Sequence, residues 1–223
     1  MRDPDDRDGA AGRAARRSAG GLPLERFSAF SDGVFAIAIT ILVLELPAPS
    51  LAEGIGSALA EFWPDFLAYL MSFAYIRGYW ISHSRLTGTM KAADSSTYGL
   101  NLLLLLFVTL LPFSTRLLRE NFHGPELSLA AVIYGLDVLV ASFVMSMLIL
   151  HVARQPQLFA DSPEDDALRR LYRQRWFAIG VGAIAVGLAV VAPAAAVLVY
   201  LVVALLFLVL PMLGYFRVRR SAG

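Results

Sequence analysis

Residues 26–45 read Arg-Phe-Ser-Ala-Phe-Ser-Asp-Gly-Val-Phe-Ala-Ile-Ala-Ile-Thr-Ile-Leu-Val-Leu-Glu. After Asp32 no charge appears until Glu45. The apolar segment from Phe27 to Leu46 is about 20 residues long, the length a helix needs to cross a hydrocarbon core of about 30 Å. With about 100° between successive residues of a helix, Gly33, Ile37, Thr40, Ile41 and Leu44 share one arc of about 100°. Asp32 falls outside it. One stripe of this helix is therefore apolar with a single hydroxyl, and its acid is turned toward another helix.

Five further stretches repeat the same length and hydropathy. They are Phe62–Ser82, Tyr98–Leu118, Leu127–Val152, Trp176–Ala192 and Ala194–Phe216. The last two form nearly one run, too long for one span, and Pro193 predicts a tight hairpin between them. The 223-residue chain is 57% hydrophobic and 17% charged, with a mean hydropathy of +0.63. Soluble domains run about 45–50% apolar and about 25% charged. An all-α membrane protein of six transmembrane helices is expected, spanning residues 25–217. Residues 1–24 read as a disordered mixed-charge tail without a signal-peptide core, and residues 218–223 as a C-terminal tail.

Lys and Arg fix the expected orientation. Sixteen of the 19 fall in the N-terminal segment, residues 83–97, residues 153–175 and the C-terminus; two (Arg116, Arg119) fall in the opposite loops, and Arg77 lies within the second span. Both termini are thereby placed in the cytoplasm. Ser162 as N-cap, Pro163 at the first helical position and Glu164, Asp165 and Asp166 in the first turn predict a helix start inside the loop between spans four and five. The fifth helix then extends three to four turns beyond the membrane. Its basic face (Arg169, Arg170, Arg173, Arg175) suits anionic headgroups or plain solvent.

Several chemistries are excluded. With no cysteine, disulfides, thiolate metal sites and cysteine nucleophiles are absent. No G-x-S-x-G, H-E-x-x-H or phosphate-binding glycine loop occurs, so no enzyme is indicated and no cofactor is expected. His83, His123 and His151 lie in no metal-ligand spacing. A net charge of +1 gives no field for nucleic acid. Thr97-Tyr98-Gly99 lacks the Val-Gly core of a potassium filter loop and opens an apolar helix. Gly180, Gly182 and Gly187, with Ala178 and Ala183, form small-residue faces for close packing on span five. Ionisable groups at membrane depth are costly. They are Arg26 and Asp32 at span one, Arg77 and His83 in span two, and Asp137 in span four; pairing between helices is their ordinary role.

Arg26-x-x-x-Phe30-Ser31-Asp32 resembles the signature that opens the first helix of the lysosomal potassium channel family (transmembrane protein 175 type), in particular its bacterial members. Phe73-x-x-Ile76-x-x-x-Trp80-x-x-His83 resembles that family's second helix, with Ser84 where a second histidine is expected. Asn101 followed by Leu-Leu-Pro112-Phe113 resembles its third. The likeness covers about residues 25–217. It implies a homotetramer in which the first helices line a central pore, with no re-entrant filter loop. It further implies that Ile37 narrows the pore, followed by layers at Thr40 or Ile41 and then Leu44. Arg26, Phe30, Ser31 and Asp32, with Trp80 and His83, would form a network holding the pore helix against its neighbours.

The expectation is a potassium-preferring channel of the bacterial cell membrane, with the bilayer, permeating K⁺ and further copies of itself as its partners. No ion is held permanently; K⁺ passes near Ile37 and Thr40. Thr40 could coordinate the ion or bond to its own helix. Glu45 could concentrate cations at the mouth or be a plain interfacial acid. The alternatives are a proton-coupled carrier using Asp137, Arg77 and His83 as a relay, and a membrane scaffold.

Overall fold

The computed structural model describes residues 23–48, 54–159 and 165–221, and side chains for 23–48, 54–56, 62–159 and 176–209. Among the described residues six α-helices follow in order: α1 (Leu24–Leu44), α2 (Ile55–Thr89), α3 (Ser95–Glu120), α4 (Leu127–Ala153), α5 (Asp165–Val191) and α6 (Pro193–Ser221), with a short 3₁₀ turn at Pro156–Leu158. Helices dominate because a backbone in lipid must satisfy its own hydrogen bonds. By length and composition α1, α3 and α4 can each cross a membrane; α5 and α6 contain apolar stretches over Trp176–Val191 and Pro193–Val209. Although long enough, α2 dilutes its apolar residues with Asp65, Arg77, His83, Trp63, Trp80 and three tyrosines.

The helix boundaries have local causes. Gly54 precedes α2 at φ 95°, a conformation that side chains with a Cβ rarely adopt. Asp94 caps α3, accepting hydrogen bonds from the Thr97 amide at 2.8 Å and the Thr97 hydroxyl at 2.6 Å. The Thr97-Tyr98-Gly99 tripeptide is therefore the first turn of a helix. Pro193 opens α6 after the single residue Ala192, as the expected hairpin requires. α5 begins at Asp165, three turns before Trp176; the proposed cap at Ser162 and Pro163 lies outside the described residues, as do residues 1–22. The expected boundary at residue 217 is not a helix end, since α6 runs to Ser221, and Arg, which recurs there, is a strong helix former.

α4 occupies the centre. Tyr134, Met145, Leu148 and Ile149 on it are fully buried, and it packs on α2, α3, α5 and α6. Close approach in this bundle depends on Gly135, not on the glycines of α5. A Cβ at Gly135 would lie 2.6 Å from Tyr200 Cζ and 2.8 Å from Val186 Cγ2, whereas Gly180 and Gly187 face open space and Gly182 makes an ordinary contact with Leu139. Hydroxyls tie the same region together. The Ser72 hydroxyl meets Thr115 at 2.7 Å and Tyr134 at 3.1 Å, and Tyr75 donates to the Tyr200 carbonyl at 3.0 Å. In lipid, where water exclusion does not drive helices together, such bonds and tight contact carry the association.

The loops pair by end. Met90 bridges Phe159, and the Lys91 amide donates to the Leu158 carbonyl at 2.8 Å. The α2–α3 and α4–α5 connections therefore share one end of the bundle. There His151 Nε2 stands 2.9 Å and 3.0 Å from the two carboxylate oxygens of Asp94. At the opposite end Arg116 reaches Glu45 and Arg119 reaches Asp65, each at 3.5 Å.

Candidate functional site

α1 is a peripheral helix that touches α2 and α3 alone among the described elements. Phe27, Ser31, Phe35, Ala38 and Leu42 form its buried face, at the i, i+4, i+3 or i+4 spacing of one helical stripe. The other side stays open. Ile37 is 58% exposed, Ile41 38% and Leu44 80%, and Gly33 and Thr40 are exposed with them. All five residues of the sequence-derived stripe thus share an uncovered face of one chain.

The Thr40 hydroxyl donates to the Ile37 carbonyl at 2.8 Å. Its proton is committed to its own helix, a habit of membrane Thr, while both oxygen lone pairs remain able to accept.

The signature residues separate into two groups. Trp80 Nε1 donates to Asp32 Oδ1 at 3.0 Å, joining α2 to α1. Ser31 donates to the Phe27 carbonyl at 2.9 Å and accepts from Asn101 Nδ2 at 2.9 Å. His83 is fully buried with its ring 5.8 Å from Phe27 and 5.6 Å from Phe35. Phe30, by contrast, is exposed, and the Arg26 side chain is exposed and makes no hydrogen bond or ion pair among the described residues. Asn101 is the anchoring residue that position within α1 could not reveal. Its signal was a single buried amide ahead of five consecutive leucines, a polar group that must find a partner at that depth.

The three relay residues are not brought together. Arg77 Nη1 donates to the Phe207 carbonyl on α6 at 3.1 Å. Asp137 accepts from Ser114 on α3 at 2.7 Å, and His83 lies under α1. Among the described residues no ion pair or hydrogen bond links any two of them, and no cluster of three or more metal-ligating side chains occurs.

A family model described as endosomal/lysosomal potassium channel TMEM175 matches residues 26–112. A potassium channel of Chamaesiphon minutus is 41% identical over 155 residues, covering 66% of this chain and 76% of that one. A potassium channel of Streptomyces collinus is 37% identical over 159 residues, covering 70% and 76%. The zebrafish (Danio rerio) endosomal/lysosomal proton channel TMEM175 is 36% identical over 121 residues, half of this chain and 23% of its own. Among solved structures, a lysosomal potassium-selective channel TMEM175 homologue from Chamaesiphon minutus superposes with a TM-score of 0.74 at 34% identity, covering 83% of this chain and 96% of that one. An α-helical membrane fold, the Arg26–Asp32 signature and this level of identity agree, and the chain belongs to the TMEM175 channel family.

Proposed function

We propose that the chain is a potassium-preferring cation channel that conducts passively through a central pore lined by α1 in a homotetramer. The observation that carries this reading is the split character of α1. One face is anchored on α2 and α3, and the other leaves Gly33, Ile37, Thr40, Ile41 and Leu44 uncovered. A single helix cannot enclose a pathway, so several copies must surround it, most simply in closed rotational symmetry. The names of the bacterial relatives, both potassium channels, support the ion. The uneven distribution of Lys and Arg supports six spans with both ends in the cytoplasm of a bacterial cell.

In this mechanism rings of Ile37, Ile41 and Leu44 oppose entry of hydrated ions, as hydrophobic constrictions do. Thr40 oxygens replace part of the water that a dehydrating ion gives up. K⁺ holds its water less tightly than Na⁺, so partial dehydration at a narrow apolar ring favours K⁺. The Ser31–Asn101 and Asp32–Trp80 bonds hold the helix in the orientation that presents this stripe.

Purified protein in liposomes tests the reading. A channel carries K⁺ down its gradient and sets a voltage near the K⁺ equilibrium potential. Saturable flux coupled to a pH gradient would replace it with a carrier, and no flux would leave a scaffold. The vertebrate relatives are named proton channels, so the assay includes an imposed proton gradient. Proton current exceeding K⁺ current would overturn the ion preference.

A further inference from the structure

Resting on the reading of α1 as the pore helix, we propose that Arg116 sets the strength of a negative outer mouth formed by Glu45 and the C-terminal end of α1. Glu45 is the C-cap residue, directly after Leu44. The unpaired carbonyls of a helix C-terminus already carry about half a negative charge, so an acid there adds to the potential instead of cancelling it. Among the described residues, Arg116 on α3 is the cation that pairs with Glu45, through Nη1 at 3.5 Å. Its guanidinium is shared, because Nε donates to Glu120 at 2.8 Å. Glu120 also meets Arg119 at 3.5 Å, and Arg119 is itself shared with Asp65. Three acids facing two cations leave a net charge of −1 per chain beside the end of α1, and Arg116 is the cation of this network that reaches Glu45.

Stability does not account for this arrangement. Glu45, Arg116 and Glu120 are about one-third to one-half exposed, and exposed pairs contribute little. The same exposure lets their field reach the solution from which cations enter. A negative mouth raises the local cation concentration. One unit charge about 10 Å from the ion path changes it by about twofold at low ionic strength, and the effect collapses in concentrated salt.

The experiment is single-channel recording of the full chain in planar bilayers, with external K⁺ at about 10 mM and about 1 M, where the Debye lengths are about 30 Å and about 3 Å. Each variant changes one charge in all four subunits, so at low salt Glu45→Gln and Glu120→Gln are each expected to lower inward K⁺ conductance by up to about tenfold, and Arg116→Gln to raise it by a similar factor. All three differences should vanish at high salt. An Arg116→Gln change that is absent or downward, or variant effects that persist unchanged at high salt, would overturn the proposal while the pore reading stands. A wild-type chain that carries no K⁺ current overturns both.

Discussion

In the proposed pore, Ile37 and Thr40 divide the work of the stripe between shape and chemistry. Ile37→Asn is expected to raise conductance severalfold and lower K⁺/Na⁺ preference, because amides wet a ring that branched hydrocarbon keeps dry. Thr40→Val keeps the side-chain shape and deletes the oxygen. Since the hydroxyl proton is already spent on the Ile37 carbonyl, what Val removes from the pore is an acceptor. Loss of about 1 kcal/mol of ion contact predicts about a fivefold fall in K⁺ conductance with assembly intact. Reversal potentials under K⁺/Na⁺ gradients measure both, and unchanged permeation in Thr40→Val would assign selectivity to the apolar rings alone. Asp32 answers a different question. Its bond from Trp80 is charge-assisted but partly exposed, so Asp32→Ala is expected to cost about 1 kcal/mol and reduce the assembled fraction, with ion preference retained. Size-exclusion profiles and reversal potentials check this. Normal assembly with altered preference would mean that α1 is turned differently.

Between elements, Gly135 and Asp94 hold the bundle at its middle and at one end. Gly135→Ala would drive a methyl against the Tyr200 ring and Val186. Overpacking of this kind costs about 1–3 kcal/mol, read as a lowered unfolding temperature in detergent. Gly135→Ala with Tyr200→Phe should recover part of the loss, because the hydroxyl meeting the new methyl is gone. Asp94 links α3 to α4. Burial works against its charged form, but hydrogen bonds from the Thr97 side chain and backbone and from His151 outweigh it, and its carboxyl titrates below the ordinary value. A carboxyl lowered on folding contributes stability above its unfolded pKa of about 3.9 and loses it as pH falls through the lower folded value. Unfolding followed between about pH 5 and pH 2 should therefore show an acid-side loss that Asp94→Asn reduces while keeping the helix cap. An identical pH profile for the variant would show that the pair is not coupled to folding.

For the whole molecule, the decisive feature is that, among the described elements, α1 packs on α2 and α3 alone. α4, by contrast, packs on four helices and buries most of its length inside one chain, leaving Leu129, Leu136 and Phe143 exposed. A helix left half-covered at the edge of a bundle is placed to meet other copies. Cross-linking in mild detergent is expected to stop at four subunits, and a monomer that conducts would sink the pore reading.

The number and order of the helices were legible in the sequence because lipid imposes hydropathy directly on each segment, whereas the length of α2 was not: it runs Ile55–Thr89, well past the apolar stretch at 62–82. The Pro193 hairpin and the early start of α5 were legible for the same local reason, since a ring without an N–H and a run of first-turn acids act on their own neighbours. The five-residue stripe on α1 was legible as well, because helical periodicity alone groups Gly33, Ile37, Thr40, Ile41 and Leu44. Partnership was not. Asn101 meets Ser31 across 70 positions of chain, and Tyr200 closes on Gly135 from another helix. Arg77, His83 and Asp137 are alike in being ionisable at membrane depth, yet α6, α1 and α3 receive them separately. Arg26 and Phe30 belong to the same signature as Asp32 but turn outward. Periodicity states which residues share a face, whereas rotation and crossing of the helices decide what that face meets, and these depend on the packing of all six together.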